Sequence, residues 1–385
     1  MTDALALKEA QAEAIAESGW GRPFRVVQLR NACFWVLLLG LVAGATHLVK
    51  MYAGPGTAYA AGLGTGIAAF AIYTVPWLLL LGHLNRFTAV PAKALLVAFL
   101  WGFFAATFWM ALPANEAILG LYNKAFGHTW ATDWGAGLTA PFTEETSKAL
   151  AVVVLIGLAP HLVRSAYDGL IIGAFSGLGL QISEDILYAF NASHTGFGAD
   201  QVSASLGILQ ARGLAGLFQH VLFSAVFCAG LVWLLGREEG RHRVRGALLM
   251  VGAMIVHSSW DNLSTLGIAL FGAAGPLVLL ILAPVVGLLL LRQTFVWAGQ
   301  QERAWLRAIL APEAARDVLT DDEVDAIAGT RKTRRRFLKA ARGRRKARHV
   351  LEAGLDLGHA LAESGGRETD DVAFARAEVG RVRAG

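Results

Sequence analysis

Apolar residues dominate about eight stretches of the chain, roughly 32–51, 58–82, 94–114, 136–159, 166–190, 212–235, 246–266 and 268–291. A helix needs about 20 residues to cross the hydrocarbon core of a bilayer, so each stretch predicts a transmembrane helix. The last two nearly touch, which predicts a tight helical hairpin between them. The first begins some thirty residues in, after acidic groups and without a small-residue cleavage site, so it reads as a retained span. Residues 1–31 and 292–385 return to polar patterning. In the second of these, Thr320-Asp321-Asp322-Glu323 sets a capping hydroxyl and three acids where a helix would start. The pattern predicts an all-α, polytopic helical membrane protein with a helical C-terminal tail. It divides into an N-terminal segment 1–31, a transmembrane domain 32–291 and a tail 292–385.

Composition agrees and removes the alternatives. Of 385 residues, 55% are hydrophobic and 16% charged, with a mean hydropathy of +0.49. Soluble domains carry about 25% charged residues. The 43 glycines suit helices that pack closely in lipid. A disordered chain, a coiled coil and a disulfide-stapled domain are excluded. Cys33 and Cys228 lie in apolar runs and imply no disulfide framework.

The net charge of +5 belongs to one segment. Between Arg331 and Arg348 stand eleven Lys and Arg and no acid, so the rest of the chain is net acidic. A basic run beside a membrane anchor predicts contact with anionic lipid, each charge contributing about 1 kcal/mol. Nucleic acid is the less favoured partner.

Loop charges predict orientation. Arg86, Lys93, Arg164, Arg237, Arg241, Arg243 and Arg245 fall on one side, and only Lys50, Lys124 and Arg212 on the other. Both termini are therefore expected in the cytoplasm. Trp130 and Trp134 would anchor the outer interface, Trp297 and Trp305 the inner one.

Ionisable residues inside spans carry the functional signal, because each costs several kcal/mol unless paired or solvated. Span four holds Glu144, Glu145 and Lys148; span five holds Glu184 and Asp185. Span six holds His220, and span seven holds His257 and Asp261, with Asn262 next. At 1.5 Å per residue, Glu144, Glu184, His220, His257 and Asp261 fall about 12, 9, 12, 13 and 8 Å below the outer ends of their spans. Four spans thus bring acid or imidazole to one level of the outer leaflet half. Any one of them could serve as interhelical glue, but glue alone gives no reason for a shared depth.

Helical phase refines this cluster. Glu144 and Lys148 are four apart, so an ion pair between them would leave Glu145 about 100° away in different surroundings. His257 and Asp261 are also four apart and share a face. Gly169, Gly173 and Gly177 form a small-residue ridge that Glu184 and then Tyr188 continue, letting another helix approach the acid closely.

Two histidines and carboxylates around a water suit hydrolysis. A zinc ion on His220, His257 and Glu184 would leave an open position for water. A metal-free form would use Glu144 or Glu145 as base, with the histidines steadying the oxyanion. No His-Glu-x-x-His helix occurs, and no Ser–His, Ser–Lys or Gly-Tyr/Phe-Gly-Asp pattern. A proton-coupled transporter is the reading from another class, but it would need polar groups at several depths. The inner halves of spans four to seven offer almost none.

At these residues the chain resembles the PrsW family of polytopic intramembrane proteases, distant relatives of the CAAX prenyl endopeptidases. The likeness rests on Glu144-Glu145-Thr146-Ser147-Lys148 after Ala140-Pro141, and on the Gly-rich span from Asp168-Gly169-Leu170 to Glu184 and Tyr188. It continues with the isolated His220 and with His257-Ser258-Ser259-Trp260-Asp261-Asn262, so it covers about residues 136–266. Leu180 replaces an aromatic of the family pattern, and Asp185 stands where Asn is expected. The CAAX branch has an Arg where Ala149 stands and a His in place of Glu184, which disfavours prenyl-protein processing. The resemblance implies an endopeptidase cleaving a membrane-anchored protein of the anti-sigma-factor kind near its extracytoplasmic side. It implies catalytic roles for Glu144, Glu145 and His220. Glu184, His257 and Asp261 join them on the depth argument, with Lys148, Tyr188 and Asn262 in support.

Overall fold

The computed structural model describes residues 2–237 and 242–384. Arg241, one of the charges used for orientation, lies outside them. The described residues form helices α1 (Thr2–Ser18), α2 (Ala32–Tyr52), α3 (Ala60–Asn85), α4 (Ala92–Phe126), α5 (His128–Leu158), α6 (Ala166–Ala192), α7 (Gln201–Ala215), α8 (His220–Leu234), α9 (Arg243–Asp261), α10 (Leu263–Phe271), α11 (Gly275–Ala314), α12 (Asp321–Ile327), α13 (Arg331–Ala340), α14 (Arg344–Glu363) and α15 (Asp370–Ala384). No strand occurs among them. The protein is an all-α, polytopic, integral membrane protein. By length and composition alone, five stretches among the described residues can cross a membrane: α2, α3, α4, α6 and α10–α11, with α8 a shorter apolar helix.

Two compact units divide the chain: residues 24–86 with 92–296, and residues 1–23 with 87–91 and 297–385. In the first, α6 is the central helix. Within its apolar window 89% of residues are buried, against 22% in α2 and α3, which present their apolar surface outward. Ser165 starts α6 with a capping box, its hydroxyl accepting from Asp168 N while the Asp168 carboxylate accepts from Ser165 N at 2.9 Å.

The predicted glycine ridge sets how α6 packs. A Cβ on Gly169, Gly173 or Gly177 would collide with the carbonyl oxygens of Cys228, Ser224 and His220 respectively. Positions rising along α6 meet positions falling along α8, so the two helices run antiparallel, backbone against backbone. On another face, Gly179 and Gly102 allow the same intimacy with α4. There α4 widens into a π-helical stretch, Trp101–Ala111, where Thr107 Oγ1 bonds Gly102 O at 2.8 Å and meets Ser183 Oγ at 2.8 Å.

Three expectations change. Span six is two helices: α7 ends at Ala215, and α8 begins at His220 after a 3-10 turn at Gly216–Phe218. Glycines 213 and 216 and a non-helical Gln219 (φ −109°, ψ −125°) interrupt the apolar run that hydropathy joined. The hairpin between the last two spans reverses at Gly272–Ala274, not near residue 267. Gly272 adopts φ +66°, a left-handed conformation suited to glycine, whereas Gly267 stays helical and packs against the backbone of Gly275. Trp305 is no interfacial anchor. It is 6% exposed and gives its indole N–H to Glu17 at 3.1 Å in the core of the second unit.

That second unit is a helical domain with its own apolar core, in which Ile15 and Trp20 of the N-terminal segment join Leu306, Leu310, Leu351 and Leu361. Phe87 and Ala89, from the loop between α3 and α4, pack on the same core. Thr320 and Glu323 form the capping box expected at the start of α12. Glu313, 1% exposed, is held by Arg376 at 2.6 and 2.8 Å, which ties α11 to α15.

Candidate active site

Helix α5 supplies the paired glutamates, and their environments differ as adjacent helical positions require. Lys148, fully buried, lies 2.6 Å from Glu145 Oε1 and 3.8 Å from Glu144 Oε2. The expected i,i+4 pair is therefore the weaker contact. The side chain leans to the residue three positions back, and Glu144 is the acid left open. Glu145 also accepts from Ser224 Oγ on α8 at 2.9 Å through its other oxygen. Glu144 Oε1 accepts from Asn115 Nδ2 at 3.4 Å, and Asn115 in turn accepts from Thr143 Oγ1. Glu144 Oε2 is buried with no hydrogen-bond donor.

Around that oxygen the two histidines converge from α8 and α9. His220 Nδ1 is 3.5 Å from Glu144 Oε2, and His257 Nε2 is 3.8 Å from it. Each ring turns its other nitrogen toward a carboxylate. His220 Nε2 lies 3.1 Å from Glu184 Oε2, and His257 Nδ1 lies 3.0 Å from Glu145 Oε1, the latter outside hydrogen-bonding alignment. Asp261 Oδ2 is 3.4 Å from His257 Nε2 and, like both nitrogens of His257, is buried without a hydrogen-bond partner. The common depth inferred from helical rise thus becomes one cluster. His220 reaches it from the first turn of α8, carried there by the glycine ridge and not by a continuous span.

Glu144, His220 and His257 offer ligand atoms within 4.8 Å of one another. The donor set fits a metal ion: two imidazoles and a carboxylate leave a fourth position open, as in catalytic zinc sites. Ligand atoms about 2.0–2.1 Å from such an ion stand about 3.4 Å apart, near the 3.5 and 3.8 Å found here. Charge points the same way. Among the described residues, Glu144, Glu145, Glu184, Asp185 and Asp261 face only Lys148 and Arg212 as fixed cations, an excess of carboxylate that a divalent ion would offset. Glu184 stands outside the convergent three. Its Oε2 is taken by His220 and by Arg212 Nη2 at 2.6 Å.

Sequence reasoning missed four residues here. Arg212, an outer-loop charge by sequence, pairs with Glu184 and Asp185 and stacks 4.0 Å from the centroid of Tyr188. An arginine near the level of an acid pair on the neighbouring span was the available signal. Ser224, one turn after His220, and the Asn115–Thr143 pair carried only the weak signal of polar groups in apolar runs. Asn262 supports the cluster from outside it, accepting from Gly137 N at 3.3 Å and donating to Trp134 O at 3.4 Å, so that it ties the end of α9 to α5.

Residues 90–289 match the family model of the PrsW intramembrane metalloproteases. No curated protein and no solved structure matches the chain. The matched stretch is more than half of the chain and contains every residue of the cluster, from Asn115 on α4 to Asn262 after α9. The match and the buried His, His and carboxylate group inside it agree, and the chain belongs to the PrsW family of intramembrane metalloproteases.

Proposed function

We propose that Glu144, His220 Nδ1 and His257 Nε2 hold a zinc ion, and that the enzyme uses it to cleave a membrane-anchored protein of the anti-sigma-factor kind. The observation that carries the reading is the convergence of these three buried groups on the unpartnered Glu144 Oε2. When bound, the ion would supply Lewis-acid polarisation of the scissile carbonyl and of the attacking water. Glu184 orients His220 and Glu145 faces the far nitrogen of His257, the carboxylate–histidine arrangement that fixes ring orientation and tautomer. Glu145 has a donor on each oxygen and is a poor base. Asp261 combines a donor-free oxygen with a side chain 21% exposed, so it is the acid that can take the proton from water. The Lys148 ammonium, 3.3 Å from His220 Nδ1, is a positive group beside the proposed ligands that could stabilise a developing oxyanion.

Both termini are proposed to face the cytoplasm, with the cluster in the outer half of the bilayer. The loop charges support this, as does the inclusion of residues 1–23, 87–91 and 297–385 in one unit, which suits three segments on the same side of the membrane. The basic surface of α13 and the start of α14 is proposed to rest on anionic lipid.

The test is cleavage of a single-span substrate by the purified full chain in lipid nanodiscs. Chelator should abolish cleavage and Zn²⁺ restore it. Glu144→Gln, His220→Ala and His257→Ala should each lose at least about 10³-fold in kcat/KM together with bound metal. Asp261→Asn should lose activity and keep the metal. Undiminished cleavage by the three ligand variants would overturn the reading.

A further inference from the structure

Helix α7 ends at Ala215, five residues before His220, and its last full turn carries an arginine directed at α6. The guanidinium of Arg212 makes three contacts, all with one turn of that helix. Nη2 lies 2.6 Å from Glu184 Oε2, Nε pairs with Asp185 Oδ1, and the planar group stands 4.0 Å from the Tyr188 ring centroid. Such a fork fixes a carboxylate in direction as well as charge. Stacking on Tyr188 adds a third restraint.

The oxygen that Arg212 grips is the oxygen that faces His220 Nε2 at 3.1 Å. A carboxylate oxygen that already accepts from a guanidinium stays an acceptor, so the imidazole proton belongs on Nε2. The lone pair of His220 is then left on Nδ1, the nitrogen that faces Glu144 Oε2 at 3.5 Å and can accept from Lys148 Nζ at 3.3 Å. We infer that Arg212 is a positioning residue of the protease: it holds Glu184 so that His220 presents Nδ1 to the metal centre. This rests on the proposed ligand set.

A simpler role competes with it. Asp185 is fully buried, and Arg212 could serve only as its counter-ion. The two roles separate through the partner each requires. A counter-ion becomes dispensable once Asp185 is neutral, whereas a positioning residue is still needed for Glu184.

The experiment uses the full chain in nanodiscs, reading kcat and KM for a single-span substrate and, separately, Zn²⁺ retention against a graded series of chelator concentrations. Arg212→Gln should lower kcat and weaken Zn²⁺ retention by roughly 10–100-fold each, with KM little changed. Arg212→Lys, which keeps the charge without the fork, should recover only part of both. In the Asp185→Asn background, Arg212→Gln should cause the same losses. In the Glu184→Gln background it should add almost none, since the path is already cut. Restoration of kcat and Zn²⁺ retention in Arg212→Gln/Asp185→Asn would overturn the inference, as would wild-type Zn²⁺ retention in Arg212→Gln. The ligand reading fails by a different result, Zn²⁺ retention surviving His220→Ala and Glu144→Gln, so the two failures can be told apart.

Discussion

Lys148 Nζ lies 2.6 Å from Glu145 Oε1, with neither side chain exposed to solvent, while Glu144 keeps an oxygen that no donor reaches. Two neighbouring acids of one helix thus have opposite surroundings, one paired on both oxygens and one left open, which suits the chemical duty proposed for Glu144. The difference comes from where a single lysine leans.

Substitution should separate the two acids. Glu145→Gln leaves a buried ammonium without its close counter-charge, which costs about 3–5 kcal/mol. Glu144→Gln removes a group that Lys148 approaches only to 3.8 Å, and should cost far less. Thermal unfolding of the two variants in detergent should rank Glu145→Gln as clearly less stable, with both inactive. Adding Lys148→Met to Glu145→Gln should recover much of the lost stability and no activity.

The approach of α8 to α6 can be tested at its glycines. Gly173→Val would drive a side chain into the carbonyl of Ser224 and the side chain of Cys228, forcing the helices apart at an overpacking cost of about 1–3 kcal/mol. Because His220 sits at the end of that seam, activity should fall by more than the stability loss explains. Gly64→Val, on an open face of α3, adds a side chain of the same size where nothing lies within 4 Å and should retain activity. Equal losses in both variants would contradict the seam's role.

The second unit should respond to acid. Arg376, and then Arg316, hold the exposed Glu368 carboxylate down to about 2 from 4.5. A lowered folded-state value means its contribution to stability is full above about 4.5 and is lost as pH falls toward 2. Melting of the full chain followed across that window should show a decline that Arg376→Gln flattens. The same variant should lower stability at neutral pH as well, because it leaves Glu313 buried without its bidentate partner.

Anionic lipid should protect the basic surface. Arg335, Arg336, Arg344 and Arg345 are exposed, and trypsin should cut there readily when the chain is in neutral nanodiscs. Anionic nanodiscs should slow cleavage, and raised salt should restore it. Equal digestion in both lipids would refute the lipid contact.

Some of this protein was legible in order of residues alone. Runs of apolar residues about 20 long dictate helices in a bilayer whatever their neighbours, because unpaired backbone groups are so costly in lipid. Glycines four apart announced a close helix contact, and Thr320 with Glu323 announced a helix start, since both signals are local. The level shared by Glu144, Glu184, His257 and Asp261 followed from helical rise. Other features depended on folding. Hydropathy could not see the break at Gly216–Gln219, because Leu214, Leu217 and Phe218 carry the apolar run up to the start of α8. Phase could not decide whether Lys148 favours Glu144 or Glu145, since i,i+3 and i,i+4 are both within reach of a long side chain. Arg212 looked like a loop charge until α7 was laid beside α6. Sequence determined which groups stand at one depth in which helices; only the packing of α5, α6, α8 and α9 decided which atoms meet, because each of those contacts joins residues far apart in the chain.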